Sequence, residues 1–120
     1  MTALAAVLRE DDGLPLGDEL TGVVEAWLDH LVIDRGLSER TREAYGLDLV
    51  QFLQHIRFER GRAPVMADLE RLDARMIRGF LARRRRQGVT SRTLAGTMSA
   101  LRMFFRWLEA TETLKNRAVL

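Results

Sequence analysis

Apolar residues recur along this chain at steps of three and four, and no stretch alternates with period two. From Asp18 onward, Leu20, Val23, Val24, Trp27, Leu28 and Leu31 fall on one face of a helix whose other face is acidic. Asp18 is a suitable N-cap and Gly36 a stop. A second helix is expected from a Ser38 cap, with Tyr45, Leu49, Phe52, Leu53 and Ile56 as its apolar stripe, ending near Gly61 with Pro64 beyond. A short turn is expected at residues 67–71. Asp73 then caps a third helix that buries Met76, Ile77, Phe80 and Leu81 and ends in Arg83 to Arg86 before Gly88. Ser91 opens a fourth, where Leu94, Met98, Leu101, Phe105 and Leu108 form the main stripe and Phe104 and Trp107 widen it. The pattern predicts an all-α fold, a bundle of four main helices over residues 18–112. Residues 1–17, with Pro15 and the turn at Glu10-Asp11-Asp12-Gly13, read as a flexible leader, and residues 113–120 as the start of a linker.

Length and composition change this picture little. A chain of 120 residues, 47% hydrophobic and 30% charged, is the size and make-up of one globular domain. Its apolar runs fall short of the roughly 20 residues a membrane span needs, so no membrane partner is expected. There is no cysteine, and Met1 to Leu8 lack the basic front and long apolar run of a secretory signal, which leaves a cytoplasmic location as the expectation.

Charge changes it more. The net charge is +2, yet residues 1–34 carry minus seven and residues 35–120 plus nine. Of the nineteen bases only Lys115 is lysine, and arginine's planar fork suits phosphates and guanine edges. A polyanion is the expected partner of the later part. On the fourth helix Arg92, Gly96, Ser99, Arg102 and Arg106 recur at helical spacing, away from the Leu94–Leu108 stripe. Gly96 serves either close approach to a groove or close packing of a neighbouring helix. At the start of the second helix, Ser38, Thr41, Arg42 and Tyr45 lie beside unpaired backbone N–H groups, a suitable anchor for a phosphate. Ser38 is first of all a cap, and the Tyr45 ring has an alternative use in the core. Arg83 to Arg86 cannot all face one strand, since consecutive helical residues are about 100° apart. The expected DNA-binding set is Ser38, Thr41, Arg42, Tyr45, Arg84, Ser91, Arg92, Thr93, Ser99 and Arg102.

No catalytic or metal-ligating residue and no cofactor is expected. His30 and His55 stand alone, as helix-surface or core-edge residues without metal-ligand spacing, and there is no glycine-rich phosphate loop. Asp48, Glu59, Asp68 and Glu70 are scattered in the manner of caps and ion-pair partners.

Two stretches resemble a known family. The segment Gly36-Leu37-Ser38-Glu39-Arg40-Thr41-Arg42-Glu43-Ala44-Tyr45, with Asp48-Leu49 and Phe52-Leu53, is one. The segment Ser99-Ala100-Leu101-Arg102-Met103-Phe104-Phe105-Arg106-Trp107-Leu108 is the other. Both are similar to the N-terminal core-binding domain of tyrosine recombinases of the phage-integrase family, with the Xer branch, and the XerC type within it, nearest. The resemblance runs from about Asp18 to the end. It implies a SAM-like helical bundle, one half of a clamp around double-stranded DNA, with the second and fourth helices toward the major groove and with contacts to sister or partner recombinase subunits. It also implies that a separate C-terminal domain carries the cleavage chemistry, so that this chain alone is not an enzyme. Tyr45 matches the second-helix motif and not the family's nucleophile. Gly96 and Thr97 stand where many relatives carry basic residues, and Asn116-Arg117-Ala118 where Asn-Pro-Ala is common.

Two other functions fit an acidic first helix and a basic remainder. One is a helical protein-interaction module, which would shift with a partner protein and not with DNA. The other is a helix-turn-helix regulator, for which the second and fourth helices are long.

Overall fold

A computed structural model describes residues 16–120, and the leader expected over residues 1–17 lies, up to Pro15, outside the described residues. Five helices and no strand are present among them: α1 (Asp18–Ile33), α2 (Glu39–Arg60), α3 (Met66–Glu70), α4 (Ala74–Arg86) and α5 (Ser91–Ala110). They form two compact units, one ending at Met66 and one running from Ala67 to Leu120.

In the first unit α1 packs against α2. Leu20, Val24, Trp27, Leu28 and Leu31 are buried on α1, and Leu49, Val50, Phe52, Leu53 and Ile56 on α2. The N-cap of α1 is Gly17 and not Asp18, which is the first helical residue and makes no side-chain cap bond. An acid there still complements the helix dipole. Gly17 also belongs to the folded unit and not to a leader: its N–H donates to the Pro64 carbonyl at 2.9 Å. A Cβ on it would lie 2.9 Å from Val65 Cγ1, so glycine permits this close approach. Ser38 caps α2 as expected, its Oγ accepting from Thr41 N–H at 3.1 Å. His55, expected at a surface or core edge, is buried.

In the second unit α4 packs against α5. The turn expected at residues 67–71 is largely the one-turn helix α3. Asp73 caps α4 by accepting from Met76 N–H at 2.9 Å, and Ile77 and Phe80 are buried while Met76 and Leu81 are only half-buried. α5 opens at Ser91 as expected, and its cap is Thr90. Thr90 Oγ1 accepts from Thr93 N–H at 3.2 Å, the geometry that Ser38 has with Thr41.

α5 supplies the largest share of core, burying Leu94, Thr97, Met98, Ala100, Leu101, Phe104, Phe105 and Leu108. The Phe104 and Phe105 rings meet edge to face with centroids 5.6 Å apart. α5 ends with the Thr113 N–H bonded to Leu108 O and the Glu112 N–H to Glu109 O, a Schellman closure that puts Glu112 at φ 56.

Residues 113–120, expected to start a linker, fold back on this unit. Leu114 and Val119 are buried. The Asn116 side-chain amide donates to the carbonyls of Leu69, Glu70 and Leu72 at 2.9, 3.1 and 2.8 Å. It thereby satisfies carbonyls that α3 and the turn after it leave open. Asn116 Oδ1 in turn accepts from the Ala118 N–H at 2.9 Å.

Candidate nucleic-acid interface

The outward face of α5 follows from its core face. At about 100° per residue, Arg92, Ser99 and Arg106 point nearly the same way, opposite Leu94, Leu101 and Leu108, and all three are exposed. Ala95 and Gly96 lie between them and are exposed as well. A Cβ added at Gly96 would meet nothing within 4 Å, so this glycine makes room for no neighbouring helix among the described residues. The result is a shallow strip of small side chains bounded by two guanidinium groups. Thr97, one residue on, is buried and its hydroxyl donates to Thr93 O at 3.2 Å, which makes it a core residue.

The remaining expected residues of α5 are bound more locally. Ser91 is exposed at the first turn. The Thr93 hydroxyl accepts from Thr90 Oγ1 at 3.1 Å, and Ser99 Oγ donates to Ala95 O at 3.1 Å. Arg102 is half-buried at the edge of the strip. Its Nε donates to the Val119 carbonyl at 3.2 Å, which fixes the guanidinium plane and leaves both terminal nitrogens for another acceptor.

At the start of α2, Ser38 Oγ donates to Thr41 Oγ1 at 3.0 Å in addition to its capping bond. Arg42 lies in line with the core stripe of α2, half-buried. Its guanidinium pairs with Glu39 at 3.3 Å and, across to α1, with Asp29 at 3.8 Å. A phosphate at this position has two carboxylates to displace. Tyr45, one turn on, is half-buried, with its ring partly covered.

On α4 the arginine run divides. Arg83 and Arg84 are half-buried, and Arg84 donates to Gln87 Oε1 at 2.8 Å; Arg85 and Arg86 are exposed. Sequence reasoning singled out Arg84 and passed over Arg75 and Arg78, which are exposed on the same side as Arg85. Their spacing relative to Ile77 and Phe80 was the available signal. Among the described residues no three His, Asp or Glu side chains gather as a metal-ligand group, and no helix is long and apolar enough to cross a membrane.

Comparison with known proteins adds the family. The one described as Phage integrase, N-terminal SAM-like domain, matches residues 24–112, from within α1 to the turn that closes α5. The chain belongs to this family. The curated relatives of this SAM-like domain include proteins named Tyrosine recombinase XerC. The one from Methylobacterium nodulans is 44% identical over 91 residues, covering 76% of this chain and 28% of the relative. That from Methylobacterium sp. (strain 4-46) is 40% identical over 98 residues, 82% of this chain and 30% of the relative. A more distant one, from Rickettsia typhi, is 27% identical over 97 residues, 81% of this chain and 32% of the relative. The SAM-like chain thus spans about a third of the length of these relatives. No solved structure matches it.

Proposed function

We propose that this SAM-like domain binds duplex DNA as the core-binding part of an Xer-type, site-specific tyrosine recombinase that resolves chromosome dimers in the cytoplasm. Strand cleavage and rejoining belong, in this reading, to residues outside this chain. The observation that carries it is the outward strip of α5: Arg92 and Arg106 flank Ala95, Gly96 and Ser99, and nothing within 4 Å occupies the space a side chain at Gly96 would fill. Small residues let a helix approach a groove closely, and flanking arginines reach phosphates or base edges. Arg102 joins from the edge of the strip. Ser38, Thr41, Arg42, Tyr45, Ser91 and Thr93 are proposed to contribute hydroxyls and N–H groups at the two helix starts.

Sister or partner recombinase subunits are proposed as the second class of partner. This part of the reading rests on the family to which the domain belongs, since a single exposed apolar side chain such as Ile33 is ordinary on a protein surface.

Salt-titrated binding of the chain to duplex is the test. If three to five phosphates are neutralised, log K falls with log salt at a slope of roughly 3 to 4.5. Replacing Arg92 and Arg106 together by Gln should lower that slope by nearly two. A flat salt response, or a complex with a partner protein but none with DNA at low salt, would favour the interaction-module reading instead.

A further inference from the structure

α4 contains six arginines and no acid. Four of the six, Arg75, Arg78, Arg85 and Arg86, are exposed and lie within an arc of roughly 100° opposite the buried Ile77 and Phe80. Among the described residues no acid pairs with any of these four. Two of the five acids of the same unit are engaged elsewhere: Asp73 caps α4, and Glu109 holds Lys115 and Arg117.

Solvation alone is a poor account of such a face. Exposed helices gain about 0.2–0.5 kcal/mol from each acid–base pair at i+3 or i+4 and lose a similar amount from a like-charged one. Arg75 and Arg78, three residues apart, are a like-charged pair. The helix dipole welcomes bases in the last turn, which accommodates Arg85 and Arg86, but it disfavours a base in the first turn, where Arg75 stands. An acidic protein partner fits less well than DNA, since the other residues on this side of α4 are Ala74, Gly79 and Ala82. The face has no apolar anchor of the kind that dominates protein interfaces. From Arg75 to Arg86 the helix rises by roughly 16 Å, long enough to lie along the charged backbone of one strand.

We propose that this face of α4 is a second DNA-binding surface, on a different helix from the α5 strip, gripping the phosphate backbone of duplex DNA without reading its sequence. The proposal rests on the DNA-binding reading only in the identity of the polyanion. Its test compares the full chain with a variant in which Arg75, Arg78, Arg85 and Arg86 are all replaced by Gln, and with an α5 variant in which Arg92 and Arg106 are replaced by Gln. Each is titrated with salt against two duplexes of unrelated sequence.

The expected result is a drop in slope of about two for the α4 variant, at about 0.9 per lost phosphate contact. The drop should be equal on both duplexes, with an unchanged helical spectrum and no loss of thermal midpoint. Lysine at the same four positions should restore the slope. An α4 variant with the parent's slope, beside an α5 variant whose slope falls, overturns the α4 surface and leaves the DNA reading standing. In a parallel titration with polyglutamate, loss of that binding by the α4 variant with its duplex slope unchanged overturns it in favour of an acidic protein. A parent chain that binds neither duplex overturns both.

Discussion

At the scale of single residues, Gly96 separates stability from function most clearly. A glycine in an exposed helix interior costs about 1 kcal/mol relative to alanine, and the space around this one is open, so nothing opposes the added methyl. Gly96→Ala should therefore raise the thermal midpoint by several degrees, about 4–8 °C per kcal/mol for a domain of this size. If the strip lies against a groove, the same methyl weakens duplex binding. A melting curve and a duplex titration check the two halves together, and binding as tight as the parent's would remove Gly96 from the interface. Arg42 makes the opposite case. Its two carboxylate partners compete with any phosphate, so Glu39→Gln should tighten duplex binding by roughly two- to five-fold, given that exposed ion pairs are worth about 0.2–1 kcal/mol. Unchanged or weaker binding in a filter or fluorescence titration would mean that Arg42 serves only to tie α2 to Asp29 of α1.

At the scale of elements, helix existence and facing were legible because each core stripe repeats at helical spacing and each cap is a side-chain chemistry that sequence displays. Ser38 and Asp73 cap α2 and α4 as their residue types predict. The cap of α1 falls on Gly17 instead, because an interaction far along the chain, with the Pro64 carbonyl, fixes the entry to that helix. No local pattern reports such a bond. The tail was misread for the same reason. Thr113 to Leu120 lacks helical periodicity, yet its Asn116 amide reaches carbonyls 44 to 47 residues earlier. An amide nitrogen has two hydrogens, so three carbonyls must share them. Asn116→Ala should destabilise by about 1–3 kcal/mol, the cost of leaving partly buried carbonyls unmet. Denaturant midpoints measure this, and a shift below a few tenths of a kcal/mol would mean water replaces the amide freely.

At the scale of the whole molecule, the modest net charge conceals two unlike parts. Residues 67–120 hold twelve bases against five acids, while residues 1–66 hold twelve acids against seven bases. The chain should therefore be retained on a cation exchanger at neutral pH well beyond what +2 suggests, and also weakly on an anion exchanger, because each resin meets its own half. Elution at the salt expected of an evenly charged +2 protein on both resins would contradict this. This charge division was readable from sequence. Which arginines face outward was readable only indirectly, because six of them crowd a thirteen-residue helix and only their spacing from Ile77 and Phe80 sorts them. The docked tail has one more consequence. Lys115 and Arg117, on either side of Asn116, are exposed cleavage sites for trypsin, but the backbone between them is held against α3. A protease needs that backbone extended, so the rate of cutting at these two sites reports how often the clasp opens. The chain thus contains its own gauge of local unfolding, readable on a gel without any label.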